Sequence, residues 1–198
     1  MLQKLTTHEV ENRLNSFDFA VLKKPGRNKG DRGRLLEQAL GMTTGADLND
    51  MVDGELKSFT IGESIAVTML RHCLPDIIDI KTSFSLSKVY AKLRQTIFVG
   101  FDREGNYQIS KTINETNSRG HFMMLEEDYN YVANSIRLAY IKKIQLGTTT
   151  GPNKLLQIRT KDSKRKDGTY NPLHHNGTLL KDKSMAFYLC PRFGRELQ

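Results

Sequence analysis

The nine residues Asn49-Asp50-Met51-Val52-Asp53-Gly54-Glu55-Leu56-Lys57 constrain this chain more than any other segment. Successive side chains of an extended strand point to opposite faces, so Glu55 and Lys57 project to one side, while Leu56 and Phe59 are expected to turn inward. Asp50 stands five residues upstream of Glu55, across Gly54, which can bend or bulge the strand and let Asp50 swing back beside Glu55. Two carboxylates so placed offer hard oxygen ligands to a divalent cation, and a lysine shares their edge. A solvated strand face gives the same D-x4-E-x-K pattern, so the flanking sequence has to decide between the two.

The flanks favour the site. Asp31 to Gly41 reads as a short helix with Leu35, Leu36, Ala39 and Leu40 as its apolar stripe, Glu37 within it and Gly41 as its stop. Lys29-Gly30, Gly33-x-Leu35-Leu36-Glu37, Leu40-Gly41 and the Asp50 to Lys57 box together resemble the MutH mismatch-repair endonuclease and its type II restriction relatives, members of the PD-(D/E)xK nuclease superfamily. Four later segments fall in the same order. They are Ser87 to Val99, the acidic helix start Glu126-Glu127-Asp128, Leu156-Gln157-Ile158-Arg159-x-Lys161, and Ala186-Phe187-Tyr188-Leu189, so the resemblance runs over nearly the whole chain.

That resemblance implies an α/β (α+β) restriction-endonuclease-like fold, a mixed β-sheet flanked by helices with two lobes around a DNA cleft. It implies one endonuclease domain over residues 1–198, with sub-lobes divided near a Pro25 to Gly33 hinge. Asp50 and Glu55, with Glu37 directly or through water, are expected to hold Mg²⁺. Lys57 is expected beside the attacking water, and the second lysine of the family falls on Lys92, with Lys88 one turn earlier. The implied activity is Mg²⁺-dependent, sequence-specific hydrolysis of double-stranded DNA, of restriction type. The alternatives are a repair-type nickase activated by partner proteins, a nicking subunit of a heterodimeric enzyme, and a non-catalytic DNA-binding module. One site per chain cuts one strand, so double-strand cleavage calls for a homodimer, a partner subunit or sequential nicks.

Three aspartates, Asp47, Asp50 and Asp53, precede Glu55. Asp53 would share the face of Glu55 in a regular strand, but relatives carry a D-x-x-D spacing that only Asp50 with Asp53 reproduces, so the resemblance favours Asp50. Asn49 stands where many relatives have proline, and the short gap from Asp50 to Glu55 matches the restriction members better than the repair members. Leu155 occupies the place of a methylation-sensing tyrosine, and Tyr129 that of a base-contacting arginine. Neither can make arginine's bidentate guanine contact.

Charge fits a polyanionic partner. Lys and Arg number 30 against 22 Asp and Glu, a formal net charge of +8, with Lys23, Lys24, Arg27, Lys29, Arg32 and Arg34 in one cluster and Lys154, Arg159, Lys161, Lys164, Arg165 and Lys166 in another. DNA contacts are expected from Lys29, Arg32, Lys88, Arg119, His121, Lys161, Lys164, Arg165, His174 and His175. No Cys or carboxylate cluster accompanies His174-His175 at zinc-ligand spacing. Cys73 and Cys190 form neither a metal pair nor a disulfide framework, which fits a reducing, cytoplasmic setting. No apolar run is long enough for a membrane span and no organic-cofactor motif is present. Further elements are read as a capping box at Thr6-x-x-Glu9, strands at 64–70, 96–101, 107–113, 155–159 and 185–189, helices at 85–95 and 125–146, and a long polar basic loop at 162–177.

Overall fold

The computed structural model describes residues 4–22, 31–42 and 49–198. In chain order the elements are α1 (Thr7–Asn15), α2 (Asp31–Ala39), β1 (Glu55–Thr60), β2 (Ile65–Met69), α3 (Lys88–Leu93), β3 (Gln95–Phe101), β4 (Tyr107–Asn114) and α4 (Arg119–Lys142). They continue as β5 (Thr149–Thr150), β6 (Leu156–Thr160), β7 (Leu173–His175), β8 (Thr178–Lys181), β9 (Met185–Leu189) and α5 (Pro191–Glu196), with a π-helical turn at Pro75–Ile80. The fold is mixed α+β. It divides into two compact units, one of Met1–Ile65, Lys92–Ser118 and Gly194–Gln198, the other of Ala66–Ala91 and Arg119–Phe193. Of the expected hinge, residues 25–30 lie outside the described residues, and Asp31 to Gly33 already belong to α2.

The first unit is built on a three-stranded mixed sheet in the order β1-β3-β4, with β1 parallel to β3 and β3 antiparallel to β4. On one face Leu56, Ile97, Val99 and Phe101 meet Val10 and Leu14 of α1, Leu36 of α2 and Leu40 just after it in a dry cluster. The capping box of α1 forms as its sequence implies, Glu9 Oε2 accepting from the Thr6 amide at 2.7 Å. Phe59 is buried too, but on the opposite face from Leu56, as period-two alternation requires. Its ring lies edge-on to Phe98 at 6.3 Å, over Gly100.

The second unit holds a four-stranded sheet in the order β2-β9-β6-β5 and a β7-β8 hairpin. One mixed sheet was the expectation; three separate sheets are found. The hairpin takes up part of the stretch read as a polar loop, where Leu173 and Leu180 are buried. Helix α4 starts six residues earlier than its apolar spacing implies, so Glu126, Glu127 and Asp128 sit inside it rather than at its start. Asp128 is fully buried and accepts from the amides of Asn153 (2.7 Å), Leu155 (2.8 Å) and Leu156 (2.8 Å). A charged carboxylate saturated by backbone donors is a strong tertiary tie, here between α4 and the start of β6. No helix among the described residues is long and apolar enough to cross a membrane.

Candidate active site

Among the described residues strand β1 is an edge of its sheet, because only β3 pairs with it. Its outward amides therefore need partners that are not strands. The Leu56 amide donates to Asp50 Oδ2 at 3.3 Å, which brings Asp50 back alongside the strand it precedes. Gly54 makes that return possible. A Cβ there would lie 2.6 Å from the Gln95 carbonyl oxygen, so no larger residue fits where the loop meets β1.

Glu55 opens β1 with its side chain only 2 % exposed, and both carboxylate oxygens are engaged by ammonium groups. Lys57 Nζ donates to Oε2 at 3.0 Å, and Lys92 Nζ, from α3, donates to Oε1. Burial nonetheless pushes the Glu55 carboxyl above its ordinary range. Lys57 pulls it back, a hydrogen bond and the charge of Asp50 push it up again, and Lys92 lowers it. Desolvation and the neighbouring carboxylate outweigh two cations. Glu37 of α2 is half-buried and raised as well, first by burial and next by Asp50, with Lys57 lowering and Glu55 raising it. Leu36 and Leu40 anchor the apolar side of α2 in the core, leaving Glu37 on the flank that faces β1.

Asp50, Glu55, Lys57, Glu37 and Lys92, drawn from one loop, one strand and two helices, thus act on one another in a single patch of the first unit. Carboxylates gathered in this way offer hard oxygen donors of the kind a divalent cation takes. Among the described residues no three His, Cys, Asp or Glu side chains gather closely enough to chelate a metal unaided. Magnesium does not require that, since it binds through one or two carboxylates, several waters and substrate phosphate. Asp50 and Glu55 fit that mode.

The rival aspartates separate cleanly. Asp53 Oδ1 accepts from the Thr7 amide (2.7 Å) and hydroxyl (2.8 Å), and Oδ2 from Gln95 Nε2 (3.2 Å). It ties helix α1 to the sheet and is not part of the cluster. Asp47 lies outside the described residues.

The expected DNA-contacting residues are dispersed. Lys29 lies outside the described residues. Arg32 lays its guanidinium 4.7 Å over the Phe101 ring in the first unit. The others belong to the second unit. Lys88 donates to the His72 carbonyl at 2.8 Å and stands 3.8 Å from Asp76. Arg119 is exposed at the start of α4, and the His121 ring lies edge-on to Phe193. Lys161 sits 5.9 Å over Tyr188, beside Arg159 at 5.3 Å. Lys164 and Arg165 are exposed on the loop before β7, where Arg165 bonds Asn171. His174 is exposed, and His175 pairs with Asp79 at 3.0 Å. Tyr129 and Leu155, aligned above with base-reading positions, are core residues, Tyr129 stacking on Phe187 at 6.2 Å.

The tie among Thr7, Asp53 and Gln95 escaped sequence reasoning. Its one visible trace was the capping box that fixes where α1 begins; the partners are 46 and 88 residues away. Searched against models of known protein families and against curated proteins, the chain matches none.

Proposed function

We propose that this chain is a Mg²⁺-dependent DNA endonuclease of PD-(D/E)xK restriction type. The observation that carries the reading is the buried Glu55 carboxylate on an edge strand, gripped by Lys57 and Lys92 and crowded by Asp50 and Glu37. A parallel β1/β3 pair extended by an antiparallel β4, with the acidic cluster at the free edge, supports the restriction-endonuclease-like fold.

Asp50 and Glu55 would hold Mg²⁺, Glu37 acting through water. The ion, when bound, polarises the scissile phosphate and makes a coordinated water acidic. The chain's own residues supply the rest. Lys57, at 13 % side-chain exposure, is desolvated enough to orient a water and to stabilise negative charge growing on the phosphorus oxygens. Lys92 neutralises Glu55 from the other side and holds its carboxylate in one orientation. The formal charge of +8 draws the duplex without reading sequence.

Purified protein with Mg²⁺ and supercoiled plasmid, followed by sequencing of the ends, tests the reading. Cleavage should leave 5′-phosphates at a recurrent sequence. Glu55→Ala and Lys57→Ala should abolish it while binding stays within about tenfold, because phosphate contacts carry most of the affinity. Cutting by either variant at the parental rate refutes the site. Linear product indicates the restriction type, and nicked circles alone the repair type.

A further inference from the structure

Asp50 sits in a short irregular loop before β1. Residues 49–54 form no helix or strand; the Met51 amide donates to the Gly54 carbonyl at 3.0 Å, and Asp50 reaches β1 through the long 3.3 Å bond to the Leu56 amide and a side-chain hydrogen bond with Glu55. Met51 anchors the loop in the core, and further ties come from the start of the chain. Lys4 Nζ donates to the Asn49 carbonyl at 2.7 Å, and the Val52 amide donates to the Leu5 carbonyl at 2.9 Å. The Thr7 amide and hydroxyl both donate to Asp53. Gln95 closes the arrangement, its Nε2 donating to Thr7 Oγ1 at 3.0 Å and to Asp53 at 3.2 Å from the first residue of β3. Residues on both sides of Asp50 are therefore pinned by segment 4–7, while the bonds of Asp50 itself run to Glu55 and Leu56 of β1.

We infer that segment Lys4 to Thr7 is a positioning splint for the divalent-cation site, acting through Asp53 and the Asn49 carbonyl to hold Asp50 beside Glu55. Thr7 is the natural hinge point. Its amide is one of the donors left without an intrahelical partner at a helix N-terminus, so an aspartate that accepts it both satisfies the donor and complements the helix dipole. Its hydroxyl is bonded to Asp53 and receives a bond from Gln95, which locks three segments together. A change to Asn at Asp53 sets an amide N–H against donors; valine at Thr7 removes the hydroxyl but preserves shape and amide.

The inference rests on the metal-site reading proposed above, and its test separates the two. Mn²⁺ binding to the full chain without DNA is measured by electron paramagnetic resonance for the parent, Thr7→Val, Thr7→Ser, Asp53→Asn and Lys4→Ala. Groups that orient metal ligands are worth about 10- to 100-fold in affinity, so Thr7→Val and Asp53→Asn should weaken Mn²⁺ at least about tenfold. Lys4→Ala should weaken it less, and Thr7→Ser should bind like the parent. Gly151→Ala, which strains the second unit, serves as the destabilised control and should leave Mn²⁺ affinity unchanged. Parental affinity in both Thr7→Val and Asp53→Asn, or equal losses in them and the control, overturns the splint while leaving the cation site standing. Failure of the parent to bind Mn²⁺ overturns both.

Discussion

Lys57 and Lys92 act as counterions for one buried carboxylate, and replacing them tests that role quantitatively. The perturbation is Lys57→Met and Lys92→Met, singly and together, which keeps most of the aliphatic stem. Each lysine is largely buried, 13 % and 15 % exposed, against 2 % for Glu55. Losing one charge-assisted bond should cost about 1.5–3 kcal/mol, since Glu55 keeps the other. Losing both strands a buried charge, a situation worth about 3–5 kcal/mol. The ceiling is set by the alternative of protonating Glu55. From the ordinary value of 4.5, that costs about 4.8 kcal/mol at pH 8 and about 0.7 kcal/mol at pH 5. At about 2–4 °C per kcal/mol for a chain of this size, the double variant should melt about 6–20 °C below the parent at pH 8 and nearly level with it at pH 5. On the proposed cation-site reading, Mg²⁺ should replace the lost cations. At 100 times its Kd it should return about 2.7 kcal/mol to the double variant. Differential scanning fluorimetry at both pH values, with and without Mg²⁺, reads all of this. A double variant that melts like the parent at pH 8, or a deficit equally large at pH 5, would refute the counterion role.

The other expectations are simpler. Glu55 and Glu37 have folded proton affinities raised above 4.5, so their protonated forms stabilise the metal-free fold. That contribution is fully present below the unfolded value and is lost as pH rises through the folded ones. Cation binding needs the ionised forms, so cleavage at limiting Mg²⁺ should fall on its acid side at a pH above the usual glutamate range, and more Mg²⁺ should move that limb downward. An acid limb insensitive to Mg²⁺ contradicts this. In the second unit, a Cβ at Gly151 would lie 2.2 Å from Asp128 Cγ, inside a buried carboxylate saturated by amides. Gly151→Ala should cost about 3 kcal/mol, near the top of the overpacking range, and lower the melting temperature without changing Mg²⁺-dependent cleavage at 20 °C. Unaltered melting would show that the contact relaxes freely.

Local signals were read well where the chain's own periodicity decides. The Thr6-x-x-Glu9 box starts α1 where expected, Met185–Leu189 is a strand over its expected span, and Glu55 and Lys57 share one side of β1 because side chains alternate. Signals failed where distant partners decide. Leu56 and Phe59 are both buried as expected, but on opposite faces, because this sheet is covered on both sides there. The resemblance put a helix start at Glu126 to Asp128, yet Asp128 is interior and accepts hydrogen bonds from amides 25 to 28 residues on. The apparent loop at 162–177 hides half of a hairpin, whose buried Leu173 is too isolated a signal among polar neighbours.

By itself the sequence determined which groups carry chemistry and on which side of a strand two of them fall, because covalent spacing and backbone pleat are local properties. The resemblance favoured Asp50, Glu37 and Lys92, but only the tertiary structure decided that Asp53 is spent on Thr7 and Gln95, that Asp50 folds back on β1, and that the Lys92 ammonium meets the Glu55 carboxylate. Two aspartates three residues apart are chemically identical until folding gives each different neighbours. The hydrogen bonds each then makes set their roles, and for Asp53 those depend on partners 42 and 46 residues away along the chain.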